Sequence, residues 1–265
     1  MKPAPFNYEA PRSLDAALSL LGEDAKALAG GQSLVPLLNF RLARPCLLVD
    51  LNPIAELSYL RRADGVLHIG ALTRQVTLER SGVVQRGWPL LSQAVRMVGH
   101  PAIRSRGTVG GSVAHADPAA ELPVALTALD ARFHLTSLRG ERSLSASEFF
   151  RGRMTTALEP DELLTEIVVP AVPDGARGAF VERARTHGDF ATAGAAVVLA
   201  PGEHAAVALL GAGSTPVRAA AAERALVAGA RADEAAELAA REVQDEYRRA
   251  LLTVLVQRAI EMCGA

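Results

Sequence analysis

The chain has 265 residues, of which 28 are basic and 29 acidic, and a pI of about 6.6. This length is sufficient for two or three subdomains with a sizeable core. The balanced charge argues against a polycationic surface, so we expect no nucleic-acid partner. The sequence contains no apolar run of about 18 residues and no signal-peptide core at its start, so it predicts no membrane insertion and a cytoplasmic location.

The two cysteines, Cys46 and Cys263, fall in a predicted strand and at the end of the last predicted helix. Neither belongs to a CxxC pattern or a Cys/His group, so we interpret both as packing residues. An iron–sulfur cluster needs four ligands, which are usually cysteines. The chain therefore cannot hold such a cluster by itself.

The first fifty residues alternate between predicted strands and helices. Residues 6–8 predict a short strand, and Ser13 is the predicted N-cap of a helix that ends at Gly22. The apolar run 25–29 predicts a second strand, and residues 46–51 a third, buried one. This βαβ alternation is typical of a small parallel sheet.

A glycine loop follows the second predicted strand, and we call residues 29–34 loop 1. Gly30 and Gly31 allow a positive φ or the close approach of a ligand, and Ser33 is a natural N-cap for the next helix. The amides that converge at such a turn favour an anion such as phosphate. A Gly-Gly turn also commonly has only a structural role between two elements. Loop 1 alone is therefore compatible with a phosphate site and with a structural turn.

From residue 57 the pattern changes to alternating strands around the Asp64-Gly65 pair, which is a strong hairpin signal. Thr73 is predicted to cap the next helix. Residues 87–98 predict a further helix, and we expect its Trp88 and Met97 to lie in the core rather than against a cofactor.

Residues 99–123 show no periodicity and contain a second glycine loop, which we call loop 2 (residues 108–112). A long irregular stretch inside a compact domain is usually functional or disordered, and the small apolar residues here argue against disorder. Two glycine loops in one chain can bind the two ends of one long ligand. Arg104 and Arg106 precede loop 2 and are equally compatible with a phosphate contact and with a solvated surface.

The remainder of the chain is predicted to complete this part and to add an α+β unit. We predict a helix to Leu129, a linker at 170–175, and strands at 131–138, 163–169, 178–184, 193–199 and 204–210, with a Pro201-Gly202 turn before the last strand.

Two helices are predicted near the end of the chain. Thr215 and Pro216 are predicted as N-cap and first residue of a helix to Ala228. A final helix at 244–262 is predicted to pack on the preceding sheet through one face, which comprises Tyr247, Leu251, Val254, Leu255 and Met262.

Two further patterns have simpler interpretations. The segment 211–216 begins like a dinucleotide fingerprint, but proline occupies the position of the third glycine, so we interpret it as a turn and helix cap. Ser112, His115 and Asp117 are too close in sequence for a triad assembled from separate elements, and no third metal ligand lies nearby. The sequence therefore predicts no catalytic residue and no metal ligand.

Two segments together carry a family resemblance. The wording AGGQSLVPLLNFRLARP at 29–45, followed by HPAIRSRGTVGGSVAHADPAAELP at 100–123, resembles the FAD-binding medium subunit of the molybdenum hydroxylases. That group includes bacterial carbon monoxide dehydrogenase, nicotine dehydrogenase and xanthine dehydrogenase. The resemblance runs nearly end to end and includes residues 161–167, residues 188–193 and the last helix.

The resemblance implies an α+β protein with a two-part FAD-binding fold of the vanillyl-alcohol oxidase / p-cresol methylhydroxylase type. A small α+β C-terminal domain, with a three-stranded antiparallel sheet and helices, would follow it. The implied boundaries are 1–55 for the first FAD-binding subdomain, 56–171 for the second, and 176–265 for the C-terminal flavoprotein domain.

The resemblance also implies which residues bind the cofactor. Loops 1 and 2 would hold the FAD pyrophosphate largely through backbone amides. Glu121 stands thirteen residues after Thr108, where relatives usually carry a cofactor-contacting aspartate. Leu164 matches a flavin-facing leucine, Arg183 a basic position, and Phe190 an aromatic that can cover the isoalloxazine ring. The complete implied set is Lys26, Ala29, Gly30, Gly31, Gln32, Ser33, Leu34, Ala102, Ile103, Gly107, Thr108, Gly110, Gly111, Ser112, His115, Asp117, Glu121, Leu164, Arg183 and Phe190.

The function implied by the resemblance is electron transfer by non-covalently bound FAD. Molybdopterin would lie in a large partner subunit and two [2Fe–2S] clusters in a small one, with the complex a dimer of heterotrimers. One alternative is a self-sufficient FAD-dependent oxidoreductase of the same fold type, which would need its own substrate domain. A second is an assembly subunit without flavin, against which the intact glycines of both loops argue.

Overall fold

The computed structural model describes residues 2–200 and 202–264. Its first part comprises β1 (Asn7–Glu9), α1 (Leu14–Leu18), β2 (Ala25–Leu28), α2 (Leu34–Asn39) and β3 (Leu47–Asp50). The three strands form a parallel sheet of order β1-β3-β2, in which Asn7 and Ala25 both lie opposite Leu47. This confirms the predicted parallel sheet.

Helix α1 begins as predicted and ends early. Ser13 caps it by accepting the Ala16 amide at 3.3 Å. The helix ends at Leu18 and not at Gly22, because the Ser19 hydroxyl donates to the Ala16 carbonyl at 2.8 Å and the chain continues in single turns.

The second part has a five-stranded antiparallel sheet of order β4-β5-β10-β6-β7, and helices cover it. Its strands are β4 (Leu60–Ala63), β5 (Val66–Gly70), β6 (Arg132–Ser137), β7 (Gly140–Ser145) and β10 (Leu163–Val169), with a separate pair, β8 (Phe150–Gly152) and β9 (Thr155–Thr156). Its helices are α3 (Gln75–Arg80), α4 (Gly82–Gly87), α5 (Pro89–Met97), α6 (Pro101–Arg106), α7 (Val109–His115), α8 (Glu121–Ala128) and α9 (Ala146–Phe149), after a 3-10 turn at Ala55–Leu57. The predicted hairpin at Asp64-Gly65 is confirmed.

Two predictions for this part were wrong. Thr73 does not cap α3, since its hydroxyl donates to the Tyr59 carbonyl at 2.6 Å. The stretch 99–123 is not irregular, because α6, α7 and the start of α8 occupy most of it. The helix predicted at 87–98 is confirmed as α5, which begins at Pro89 because α4 ends at Gly87 and proline is tolerated in the first turn of a new helix. Trp88 is buried as predicted, whereas Met97 is only partly buried.

The C-terminal part has a four-stranded antiparallel sheet of order β11-β12-β13-β14 and three helices. Its elements are β11 (Arg177–Ala184), β12 (Ala191–Ala200), β13 (His204–Leu210), β14 (Val217–Arg218), α10 (Ala220–Val227), α11 (Ala232–Ala240) and α12 (Glu246–Met262). The three predicted strands are confirmed, but the sheet has a fourth strand. Thr215 and Pro216 therefore precede a strand, and the helix after them begins only at Ala220. Pro201 of the predicted turn lies outside the described residues.

Helix α12 packs on the sheet as predicted, but of its predicted buried face only Leu255 is buried and Leu251 half-buried. Tyr247 is 67% exposed, and Val254 and Met262 are exposed as well. The face that packs against the sheet and α11 comprises Leu252, Leu255, Val256, Ala259 and Ile260. Cys263 is buried beside it, as expected for a packing residue, whereas Cys46 is exposed and precedes β3.

Both faces of the C-terminal sheet are buried, and this positions residues of the candidate site. Phe180 and Val198 belong to the core of the second part, whereas Ala179 belongs to the core shared with α10–α12. Because successive side chains of a strand alternate between faces, Glu182 shares the face of Phe180 and Arg183 the face of Ala179. No helix in the described part of the chain is long and apolar enough to cross a membrane.

Candidate functional site

Loop 1 presents a series of unpaired backbone amides. Strand β2 leads into it, Gly31 adopts a φ of +74°, and the first amide bonded within α2 is that of Val35, which donates to the Gly31 carbonyl at 3.0 Å. The five preceding amides, from Gly30 to Leu34, have no acceptor among the described residues. Successive amides that point out of a turn form a site suited to an anion such as a phosphate group.

Gly30 brings loop 1 against the chain that leads into loop 2. A Cβ at Gly30 would lie 2.8 Å from the Gly107 Cα and would collide with the Arg106 carbonyl oxygen. At Gly111, a Cβ would lie 3.6 Å from the Ala29 Cβ. The two glycine loops are therefore neighbours, as expected if both bind the same ligand. Glycine is required at their contact, because a Cβ there would collide with backbone atoms.

Hydrogen bonds from Asn52 and Arg74 hold loop 1 next to the chain that leads into loop 2. Asn52 donates to the Ala29 carbonyl at 2.9 Å, and Arg74 donates to the Asn52 side-chain oxygen at 2.6 Å. The other guanidinium nitrogen of Arg74 donates to the Arg106 carbonyl. These bonds tie both loops to residues that the sequence did not single out, and only the structure identifies them.

Loop 2 offers fewer free donors than loop 1, because most of its amides are already bonded. The amides of Val109 and Gly110 donate to the carbonyls of Thr73 and Ala71, each at 2.9 Å. Thr108 accepts the Gly111 amide on its hydroxyl at 3.1 Å and the Ser112 amide on its carbonyl at 3.2 Å. Of the five amides of this loop, only that of Thr108 lacks an acceptor among the described residues.

The glycines of this region are packed against protein. A Cβ at Gly110 would lie 2.5 Å from the Ala71 Cβ, and one at Gly107 would lie 2.5 Å from the Gln75 Oε1. Loop 2 is therefore a rigid wall of the site, while loop 1 carries the free donors.

The remaining predicted residues have the following placements. Ser33 is exposed and its side chain makes no cap bond, while Gln32 donates to the Gly30 carbonyl at 2.9 Å. Lys26 and Ala102 are exposed, Leu34, Ile103 and Ser112 are half-buried, and Leu164 is buried in the core of the second part. Phe190 is 72% exposed.

The segment before Phe190 packs against the start of α6. A Cβ at Gly188 would lie 2.5 Å from the His100 Cε1 and 2.9 Å from the Gly99 carbonyl oxygen. The structure thus brings Gly188, two residues before Phe190, to the chain at the start of α6.

Arg104 is not available for phosphate. It is 6% exposed, pairs with Glu79 at 2.8 Å, and donates to the carbonyls of Val98 and Gly99. Its side chain therefore stabilises the turn before α6. Both interpretations of Arg104, a phosphate contact and a solvated surface, were wrong, because the side chain is buried and bonded within the fold. Arg106 is exposed.

Three titratable residues, His115, Asp117 and Glu121, follow loop 2 in the chain. Asp117 accepts the Ala119 amide at 2.8 Å. Burial lowers the pKa of His115, against the opposing charge of Asp117, and the charge of Lys26 lowers it further. Glu121, the first residue of α8, is 7% exposed, and burial raises the pKa of its carboxyl to about 8. In the described part of the chain, no three His, Cys, Asp or Glu residues form a group that could hold a metal ion.

Glu182 carries a buried polar atom that sequence reasoning missed. Its Oε2 atom has no hydrogen-bond partner among the described residues, and burial raises the pKa of the carboxyl to about 7. It lies on the face of β11 that carries Phe180, whereas Arg183 is exposed on the opposite face. The alternation of β11 around the buried Phe180 is the signal that could have identified it.

The comparisons with known proteins show the family of this chain. Residues 4–172 match the family described as FAD binding domain in molybdopterin dehydrogenase. The chain is 47% identical over 235 residues to the 6-hydroxypseudooxynicotine dehydrogenase complex subunit alpha of Paenarthrobacter nicotinovorans, with 86% of this chain and 79% of that one covered. It is 36% identical to the carbon monoxide dehydrogenase medium chain of Afipia carboxidovorans, with 100% of this chain and 99% of that one covered.

A solved structure shares the architecture over the whole chain. Carbon monoxide dehydrogenase from Hydrogenophaga pseudoflava matches with a TM-score of 0.93 and 39% identity, over 99% of this chain and 98% of that one. Fold, site and relatives together define a flavoprotein component of oxidoreductases. The chain belongs to the family of FAD-binding domains of molybdopterin dehydrogenases, which confirms the resemblance inferred from the sequence.

Proposed function

We propose that this chain is the FAD-binding electron-transfer subunit of a molybdenum hydroxylase, which takes electrons from [2Fe–2S] clusters of a partner subunit and passes them to an external acceptor. The single observation that carries the proposal is loop 1, where five amides from Gly30 to Leu34 lack an acceptor among the described residues beside a second glycine loop. Unpaired amides of this kind fit the pyrophosphate of a dinucleotide.

The residues present fit FAD bound without a covalent link. Loop 1 would supply most of the amide donors to the pyrophosphate, and Thr108 the one free amide of loop 2. The wider set proposed to line the cofactor is Lys26, Ala29, Ala102, Ile103, Gly107, Gly110, Gly111, Ser112, His115, Asp117, Glu121, Leu164, Arg183 and Phe190. When bound, FAD supplies the redox chemistry, and the protein binds and orients it.

The proposal assigns the other redox groups to partner subunits. The sequence has two cysteines, and a [2Fe–2S] cluster needs four ligands, usually cysteine. A small partner would therefore carry two such clusters and a large partner the molybdopterin, in a dimer of heterotrimers. The words "medium chain" and "complex subunit" in the names of the relatives support a multi-subunit assembly.

The electron-transfer step is tested without knowledge of the substrate. The [2Fe–2S] partner is reduced with dithionite, desalted, and mixed anaerobically with the FAD-loaded chain. We expect the flavin absorbance to bleach, with the rate depending on the partner concentration. A partner preparation stripped of iron is the control and should leave the flavin oxidised. Flavin that stays oxidised with the intact reduced partner would contradict the proposal.

A further inference from the structure

We propose that Arg74 is a positioning residue of the cofactor site, whose guanidinium holds loop 1 and the chain before loop 2 at the spacing that the FAD pyrophosphate requires. This inference rests on the proposed function. It starts from two hydrogen bonds that one side chain makes in different directions. One guanidinium nitrogen of Arg74 donates to the Asn52 Oδ1 atom at 2.6 Å, and another donates to the Arg106 carbonyl.

Asn52 extends the first of these bonds to loop 1. It follows β3 in the first part of the chain, and its Nδ2 atom donates to the Ala29 carbonyl at 2.9 Å. Among the hydrogen bonds of residues 2–200 and 202–264, this is the only one that reaches loop 1 from outside the loop and α2. Asn52 is therefore the hydrogen-bonded support that loop 1 receives from beyond its own turn.

Arg74 fixes the orientation of the Asn52 carboxamide. The Asn52 Nδ2 atom also donates to the Asp50 Oδ1 atom at 2.5 Å, so the nitrogen faces two acceptors while the oxygen faces the guanidinium. A carboxamide turned by half a rotation would place its oxygen against those acceptors and its NH2 group against the guanidinium, which pairs no donor with an acceptor. The bond from Arg74 therefore stabilises the orientation in which Asn52 donates to loop 1.

The backbone on both sides of Arg74 is paired with the chain around the start of loop 2. The Gln75 amide donates to the Gly107 carbonyl, and the Val109 amide donates to the Thr73 carbonyl, each at 2.9 Å. These bonds form an isolated antiparallel bridge in which Arg74 lies opposite the first residue of loop 2. The guanidinium therefore begins from a point that is fixed relative to loop 2.

The Arg106 carbonyl, which accepts the second bond, lies at the contact between the two loops. A Cβ at Gly30 would collide with this oxygen, and Arg74 donates to the same oxygen. The two donors of the guanidinium thus reach a residue that supports loop 1 and a backbone atom that touches loop 1. Arginine presents several N–H groups in a rigid planar fork, which suits two acceptors at once, whereas a lysine has a single nitrogen.

This arrangement links FAD binding to one spacing of the two loops. The free amides of loop 1 and the free amide of Thr108 must face the same pyrophosphate if all of them are to donate to it. A displacement of about 1 Å takes an N–H···O contact out of hydrogen-bonding range. Loss of the Arg74 bonds should therefore weaken FAD binding, although Arg74 itself does not touch the cofactor.

The first test replaces Arg74 by an uncharged side chain of similar length. In Arg74→Met, flavin fluorescence titrations should give a Kd for FAD about tenfold higher than in the wild type, which is the size of one hydrogen bond from a charged group. Arg80→Met is the matched control, because Arg80 is exposed at the end of the same helix and should leave the Kd unchanged. Arg74→Lys keeps the charge without the fork, and we expect it to weaken FAD binding as well.

A double-mutant cycle tests whether Arg74 acts through Asn52. Asn52→Ala removes the donor to loop 1, and we expect it to raise the Kd by about tenfold too. If the two residues form one support, the double variant should bind FAD no more than about twofold more weakly than either single variant. Independent effects would multiply to about a hundredfold and would overturn the coupling.

The remaining outcomes separate this inference from the proposed function. A wild-type chain that binds no FAD overturns both. A merely structural role would lower the urea midpoint of the cofactor-free variants and leave the Kd of the folded protein at the wild-type value, which overturns the positioning role alone. Wild-type affinity in Arg74→Lys, or equal weakening in Arg80→Met, would assign the effect to charge and overturn it as well. Should Arg74→Met fail to fold, Arg74→Lys and Asn52→Ala provide the same test.

Discussion

Ser33 offers the most direct residue-level test of the proposal that loop 1 binds the FAD pyrophosphate. It lies among the free amides of loop 1, it is exposed, and its side chain makes no cap bond, so a substitution there breaks no contact of the fold. In Ser33→Asp, a new carboxylate would stand beside the pyrophosphate. We expect FAD to bind at least about tenfold more weakly, because like charges repel at short range. Isothermal titration calorimetry measures this.

Ser13 provides the control for that change. It is an exposed N-cap like Ser33, but on α1, and it does cap its helix. Ser13→Asp adds the same charge at a site where aspartate is an equally good cap. Its FAD affinity should equal that of the wild type. Equal affinity of Ser33→Asp and Ser13→Asp would remove loop 1 from the cofactor site.

Residue types alone indicated the turn at loop 1. Gly30 and Gly31 were identified because glycine has a local meaning that does not depend on distant contacts. The prediction that Ser33 caps α2 with its side chain was wrong, since that side chain makes no cap bond. Arg104 could not be assigned from the sequence, because it pairs with Glu79, 25 residues away in the chain. The burial of Glu182 Oε2 could not be assigned either, because it depends on the face of β11 that meets the second part.

At the level of elements, Gly30 joins loop 1 to the chain before loop 2. A Cβ there would collide with the Arg106 carbonyl, which is backbone and cannot turn aside. We expect Gly30→Ala to lower the free energy of unfolding by about 1 to 3 kcal/mol, as overpacking does. It should also weaken FAD binding, because the two loops would move apart.

Gly22 is the matched control at the other end of β2. A Cβ at Gly22 would meet nothing within 4 Å. Gly22→Ala should therefore be neutral or stabilise by up to about 1 kcal/mol, with unchanged FAD binding. Urea unfolding and flavin fluorescence of both variants check this pair, and equal stability of the two would contradict the close approach at Gly30.

Elements were predictable in proportion to their length and regularity. Strand β10 was predicted with its observed bounds, because it is rich in apolar and β-branched residues and Pro170 ends it. Helices α6 and α7 were missed, since six and seven residues are too few to display a helical period. Most of the face of α12 was assigned wrongly because apolar residues also lie outside its buried stripe, at Tyr247, Val254 and Met262, and only contact with α11 and the sheet selects the buried set.

At the scale of the whole molecule, the C-terminal sheet joins two cores. One face contributes Phe180 to the core of the second part, and the other contributes Ala179 to the core under the C-terminal helices. The sequence indicated that α+β unit but not how it packs, because contacts between distant segments leave no local pattern. The boundaries 1–55, 56–171 and 176–265 stay predictions.

The central claim is that the two loops hold FAD, and the cofactor content of the purified chain tests it most directly. The chain is incubated with FAD, desalted and acid-treated, and the released flavin is identified by chromatography and counted against protein. We predict a yellow protein that releases about one FAD per chain, with no covalently retained flavin. A colourless protein after this incubation would mean that loops 1 and 2 serve only the fold.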